Sequence, residues 1–190
     1  MRGLLVALVG LLGLAVASAG ASGTKTITVG PGDAITIQGS NIQCVVSTSS
    51  PRAIVCGIGS KKSFRPHSYA ITVADEGAAI FVATGSQQVV AREINPAISG
   101  TPIKGSSHKP TSYVLANGEG VMVAGTHVEC GSVRTDDNTL QTIGCGIYNA
   151  SSHGYYAAGT YAATVDDKYA GILRAGKNGA QTVVATEKQP

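Results

Sequence analysis

VGPGDAITIQGSNIQC (residues 29–44) aligns without a gap with LANGEGVMVAGTHVEC (residues 115–130). Both stretches carry a G-[DE] turn followed by alternating apolar residues, and both end in a cysteine. Three further segments of the first copy recur in the second in the same order: 54–58 with 143–147, 69–73 with 161–165, and 89–91 with 183–185. Ordered self-similarity is the signature of a repeat architecture, so the sequence predicts a tandem duplication.

The first residues have the three parts of a secretory signal peptide. Arg2 supplies the positive charge, residues 3–14 (GLLVALVGLLGL) are apolar, and Ala17 and Ala19 form an A-x-A cleavage site, with Ala21 as an alternative. The apolar run is shorter than the roughly 20 residues that a spanning helix needs. We therefore predict a cleaved leader over 1–19 and no membrane span in the mature chain. The mature protein is expected to be secreted, extracellular or associated with the cell surface.

Each copy carries two cysteines, Cys44 and Cys56 in the first and Cys130 and Cys145 in the second. Four cysteines admit three pairings, and export favours disulfides. A single-copy ancestor could close its two cysteines only on each other or across a dimer, so we predict the bonds Cys44–Cys56 and Cys130–Cys145. The spacing has no C-x2-C or H-x3-H pattern of a zinc site. Neither a metal nor another cofactor is therefore expected.

Polar and apolar residues alternate with period two through both copies, and Gly, Pro, Asn and Asp separate the alternating runs. This pattern is typical of strands joined by turns. We predict an all-β fold of two tandem duplicated small β-sandwich or barrel-like repeats, at 24–96 and 111–190, each with one intra-repeat disulfide. The Gly, Ser and Pro content of 97–110 indicates a linker between them.

The composition argues against a nucleic-acid binder. The formal net charge is +3, and removal of the leader takes Arg2 with it and leaves +2. Nucleic-acid-binding domains carry a concentrated positive charge instead. Charged residues make up 13% of the chain, against about a quarter in an average protein. A Gly-rich chain with so few charges suits a compact β protein at a surface.

The two copies differ most after the second cysteine of each, and this difference predicts where a ligand binds. The first copy has a basic loop around one phenylalanine, and the second has a loop rich in tyrosine. Tyrosine offers a flat amphipathic surface that suits glycan or protein contact. The alternative is that the tyrosines cover the core of the second repeat. The candidate binding residues are Lys61, Lys62, Phe64, Arg65, His67, Tyr148, His153, Tyr155 and Tyr156.

Catalytic and calcium sites have weak support in the sequence. The four histidines are scattered, and nothing resembles the G-x-S-x-G turn of a serine hydrolase. Acidic residues recur at one predicted turn, as Asp75 and Glu76 in the first copy and as Asp166 and Asp167 in the second. Calcium needs several converging oxygen ligands, and Lys168 stands at the position that matches Glu76. We expect these acids to be turn residues.

The sequence favours an exported, non-enzymatic binding or surface-structural protein. It would contact a polysaccharide or cell-envelope polymer, or an extracellular protein, through its loops. Exposed sheet edges would also permit self-association. One alternative is an exported hydrolase of wall material that uses His153 or His67 with an aspartate. A weaker one is a secreted protein inhibitor with its contact loop near 134–140.

Overall fold

The structure is a computed structural model that describes residues 25–60, 63–84, 87–105, 109–134, 141–150 and 156–190. These residues form β-strands and one 3-10 turn at Lys177–Gly179. None of them belongs to a helix long and apolar enough to cross a membrane. The strands are β1 Thr26–Val29, β2 Ala34–Ile37, β3 Ile42–Val46, β4 Ala53–Ser60, β5 Ser63–Phe64, β6 Tyr69–Ala74, β7 Gly77–Val82, β8 Gln88–Ile94, β9 Ser112–Leu115, β10 Gly120–Val123, β11 Val128–Arg134, β12 Gln141–Ile147, β13 Tyr161–Val165, β14 Tyr169–Ala175 and β15 Gln181–Lys188.

The strands form two sheets, which confirms the predicted all-β class. One sheet has the order β1-β10-β11-β12-β13-β14-β15. The other has the order β8-β7-β6-β4-β3-β2-β9, with β5 paired to β4. Strands β13 and β14 of the first sheet lie against β6 and β7 of the second. A cluster of buried side chains from both sheets, including Ile35, Ile80, Ile143 and Ile172, fills the space between them.

The first strand of each half of the chain belongs to the sheet of the other half. We call residues 25–96 the first half and residues 111–190 the second half. Strand β1 pairs in parallel with β10 of the second half, and β9 pairs in parallel with β2 of the first half. Every other pairing joins strands of the same half in antiparallel fashion. The exchange interlocks the two halves around their common core.

Asp33 holds the crossing point of this exchange. The residue is fully buried. Its Oδ2 accepts a hydrogen bond from the Gly30 amide at 2.8 Å, and its Oδ1 accepts one from the Thr111 amide at 2.8 Å. The first bond closes the turn after β1, and the second fixes the backbone just before β9. Glu119 caps the corresponding turn of the second half, where it accepts a hydrogen bond from the Ala116 amide at 2.9 Å.

Both predicted disulfides are confirmed. Cys44 and Cys56 lie directly opposite each other on β3 and β4, and Cys130 and Cys145 do so on β11 and β12. In both pairs the Cα atoms are 4.0 Å apart and the side chains are fully buried. Each bond therefore staples two adjacent strands on the core side of a sheet. In the chain-entropy model, loops of this length are worth about 3 kcal/mol each.

The two sheets show the same order of corresponding strands. Matching β1 with β9, β2 with β10, β3 with β11, β4 with β12, β6 with β13, β7 with β14 and β8 with β15 maps one sheet onto the other. The last pair even has its bulge at corresponding places, against β7 between Ile80 and Phe81 and against β14 between Ile172 and Leu173. The topology agrees with two copies, while the duplication itself and its boundaries stay predictions from the sequence.

Candidate functional site

The aromatic residues of the two divergent loops pack on the outer faces of different sheets. A Cβ atom added to Gly57 would lie 3.1 Å from Cδ1 of Phe64, and one added to Gly146 would lie 2.8 Å from Cγ of Tyr156. Both glycines follow a buried cysteine on a strand, so they face away from the core. Phe64 therefore covers the 8-stranded sheet and Tyr156 covers the 7-stranded sheet, each over a glycine that leaves room for the ring.

The remaining residues predicted to bind a ligand do not converge in the described part of the chain. Arg65 and His67 are exposed beside Phe64. Tyr148 is 37% exposed and directly follows β12 on the other sheet. The described parts of the two loops thus belong to two separate surfaces. Four residues of the prediction lie outside the described residues: Lys61, Lys62, His153 and Tyr155.

Glu129 lies near Tyr156. It projects from β11, where it pairs with Gly146 of β12, the residue that Tyr156 covers. Burial raises the pKa of Glu129 to about 7, because the charged form loses water. Burial also raises the pKa of the Tyr156 hydroxyl, and the negative charge of Glu129 adds to this effect. A carboxyl group with such a pKa titrates within the physiological range.

Asp75 connects the two halves through His127. Its Oδ1 accepts the backbone N–H of His127 at 2.7 Å, and its Oδ2 lies 2.9 Å from Nδ1 of the imidazole ring. At the corresponding place, Oδ1 of Asp167 accepts the backbone N–H of Asn41 at 3.1 Å, and Oδ2 accepts its Nδ2 at 3.3 Å. In each case an aspartate of one half holds the residue just before a disulfide-bearing strand of the other half.

His127 is enclosed on its other side. Its Nε2 is buried and has no hydrogen-bond partner among the described residues. A Cβ atom added to Gly100 would lie 3.7 Å from this nitrogen, so the segment 97–105 runs over the ring. That segment is itself tied to the turn before His127, because the Ile103 amide donates to the Thr126 carbonyl at 2.7 Å. The imidazole is therefore packed between the halves.

Two side-chain amides join the halves at another place. Gln189, just after β15, accepts a hydrogen bond from the Tyr69 amide at 2.7 Å and donates one to the Tyr69 carbonyl at 2.9 Å. Asn95, just after β8, accepts a hydrogen bond from the Tyr161 amide. Asn95 and Gln189 occupy corresponding positions, as do Tyr69 and Tyr161. Each half thus uses the side-chain amide of the residue after its last strand to hydrogen-bond the first residue of a strand in the opposite sheet.

Three surface depressions adjoin at Glu76, an exposed residue in the turn between β6 and β7. Their volumes are about 360, 330 and 230 Å³, and Glu76 lines all three. The first contains Arg52, the second Ile94, and the third Val89 with Arg92. We call this surface the Glu76 groove, defined by Pro51, Arg52, Glu76, Val89, Arg92 and Ile94.

Arg52 is fixed at one side of the Glu76 groove. It comes from the loop between β3 and β4, and its Nη1 donates a hydrogen bond to the Ala124 carbonyl of the second half at 2.8 Å. Its Nε is buried and has no partner among the described residues. The arrangement anchors the guanidinium without using all of its donors. The sequence signal for this site was the recurrent acidic pair, which we expected to be turn residues, and no sequence signal pointed to Arg52, which lines the same depression.

Strands β8 and β15, each at one edge of its sheet, carry features that hinder pairing with another chain. Strands β8 and β15 expose valines, such as Val89 at 57% and Val183 at 45%. Each strand also has a bulge in its pairing and a charged residue, Arg92 or Lys188, on its surface. Bulges and charges are the usual means by which edge strands avoid aggregation. Self-association through these edges stays a prediction.

The described residues contain no cluster of three His, Cys, Asp or Glu side chains that could hold a metal ion. Around the Glu76 groove the chemistry consists of carboxylate acceptors, guanidinium donors and apolar walls. Comparison of the chain with protein-family models, with curated proteins and with solved structures finds no match.

Proposed function

We propose that the protein is an exported, non-enzymatic binding module that holds a polysaccharide or another cell-envelope polymer along the Glu76 groove. The observation that carries this proposal is the meeting of three depressions at one exposed carboxylate. Ligand-binding sites are concave, and they combine apolar walls with a few placed polar groups. The Glu76 groove offers both kinds of group: Arg52 lines the first depression, Ile94 the second, and Val89 with Arg92 the third.

At the Glu76 groove, binding is favoured over hydrolysis because the neighbouring Asp75 and His127 are already bonded to each other. Both oxygens of Asp75 accept hydrogen bonds from His127. The remaining ring nitrogen of His127 is buried beneath the segment 97–105. A general base must reach the proton that it removes, at hydrogen-bond distance or through one water. This pair is engaged in holding the two halves together, so the groove itself presents Glu76 and the arginines to a ligand.

Export is supported by the predicted leader and by the two buried disulfides. Disulfides persist in oxidising compartments and are rare in the cytosol. Cys44 with Cys56 and Cys130 with Cys145 are both formed in the structure. The N-terminal sequence of protein recovered from the producing cells tests this part of the proposal. Export predicts a mature chain that starts at Gly20, or at Ser22 if cleavage follows Ala21.

Retention of the mature, oxidised protein on insoluble wall polysaccharide from its producer tests the binding function. We expect retention of the native protein and loss of retention in Glu76→Ala. Lys168→Ala is the matched control, because Lys168 occupies the corresponding exposed position of the second half. Equal retention of the Glu76 and Lys168 variants would contradict a site in the groove. Loss in Tyr148→Ser instead would move the site to the tyrosine loop.

A further inference from the structure

We infer that the Glu76 groove recognises an uncharged, linear polysaccharide whose hydroxyl groups bind between Glu76 and the two arginines. This inference rests on the proposed function and names the ligand class of the same site. Glu76 shares one depression with Arg52 and another with Arg92. A sugar hydroxyl both donates and accepts a hydrogen bond. A carboxylate acceptor beside a guanidinium donor matches both roles at once.

The groove carries charges of both signs, which disfavours a polymer that carries charge of one sign only. Two guanidinium groups, on Arg52 and Arg92, stand among two carboxylates, on Asp75 and Glu76. A polyanion would meet Glu76 at the centre of the site, and a polycation would meet an arginine in two of the depressions. Like charges in close contact at an interface are unfavourable and select against the wrong partner. An uncharged polyol incurs neither repulsion.

The walls of the groove suit the C–H faces of sugar rings. Ile94 is 70% exposed and lines the second depression with Glu76, and Val89 is 57% exposed and lines the third with Arg92. Pro51 borders the first and third depressions. Exposed apolar side chains grouped at a depression mark binding sites more often than isolated ones do. The combination of apolar walls and hydrogen-bonding groups fits a ring with both kinds of surface.

The three depressions predict a chain rather than a single sugar. Each of them adjoins the next at Glu76, and their volumes range from about 230 to about 360 Å³. The floor of the third is built from small residues on the outer face of the 8-stranded sheet, Ala53, Thr72 and Ala79. A linear polymer can cross such a shallow floor and continue past Glu76 into the neighbouring depressions.

Binding isotherms on the producer's insoluble wall polysaccharide, in 0.05 M and in 1 M NaCl, test the inference. Contacts to an uncharged polymer are not screened by salt, so half-saturation is expected to stay within about twofold. Glu76→Gln is expected to raise half-saturation about fivefold, because the amide oxygen of glutamine accepts a weaker hydrogen bond than the charged carboxylate does. The control Lys168→Gln is expected to bind like the native protein.

Each other result overturns a definite part of the argument. Retention that 1 M NaCl abolishes would identify a charged polymer, which overturns the inference and leaves polymer binding intact. Salt-resistant retention that Glu76→Gln leaves unchanged would place the sugar elsewhere on the protein and also overturns the inference. Absence of retention at both salt concentrations would overturn the proposed function itself. Matching circular dichroism spectra of the variants show that folding does not cause the difference.

Discussion

Replacing Glu129 with glutamine should remove a loss of stability that the native protein suffers as the pH rises from 4.5 to 8. Burial raises the pKa of this carboxyl group from 4.5 to about 7. The folded protein therefore binds the proton more tightly than the unfolded chain does. Its contribution to the free energy of unfolding is complete below the unfolded pKa and disappears as the pH rises through the folded value.

The magnitude follows from the size of the pKa shift and from the exposure of the group. One pKa unit corresponds to about 1.4 kcal/mol, so the full shift of Glu129 from 4.5 to about 7 sets an upper bound of about 3 kcal/mol. Glu129 is only partly buried, and water screens its charge. We therefore expect a loss of about 1–2 kcal/mol. Glutamine keeps the shape of the side chain and stays uncharged across this range.

Guanidinium chloride unfolding at pH 4.5, 6, 7 and 8, with both disulfides intact, measures this loss. The quantity of interest is the difference in unfolding free energy between Glu129→Gln and the native protein at each pH. Other titrating groups are shared by the two proteins, so their contributions cancel. Glu187→Gln, on the outer strand β15, provides a control for removing a carboxylate. A difference that stays constant from pH 4.5 to 8 would refute the reasoning.

Three further outcomes follow from the disulfides, the exchanged strands and the side-chain amide of Gln189. In Cys130→Ser, peptide mapping should still find the Cys44–Cys56 bond, and unfolding stability should fall by about 3 kcal/mol; a free Cys44 would contradict the pairing. Cleavage at a protease site inserted in 97–105 should leave fragments that elute together without denaturant, because β1 and β9 lie in each other's sheets; separate elution would contradict the exchange. Gln189→Ala should lower the unfolding free energy by about 1–2 kcal/mol through two lost hydrogen bonds, and an unchanged denaturation midpoint would make them dispensable.

The disulfides and the all-β class could be predicted because both depend on local patterns. Period-two alternation places Cys44 and Cys56 on the apolar face of neighbouring strands, and the structure pairs them directly. The exchange of β1 and β9 could not be predicted in the same way. Alternation tells which side chains of a four-residue strand face a core, but every edge strand of a similar sheet offers the same backbone hydrogen bonds.

The structural role of the divergent loops could not be predicted from the sequence pattern either. Their aromatic residues were predicted to bind a ligand, and for the tyrosines the alternative that they cover the core of the second repeat was left open. The structure places Phe64 over Gly57 and Tyr156 over Gly146. An available signal was the glycine after the second cysteine of each half, since a missing side chain on an outer face leaves room for a ring. That signal concerns packing, which alternation and composition describe poorly.

The two halves of the chain differ informatively at one turn. Asp75 and Asp167 occupy corresponding positions, and each holds the residue before a strand of the opposite half. This shared contact is explained by the interlocked fold, which needs it twice. The next residue is Glu76 in the first half and Lys168 in the second, and both are exposed. The interlocking contact does not require either charge. The opposite charges at this position therefore distinguish two surfaces that the fold builds alike, and Glu76 is the first residue to change in a search for the ligand.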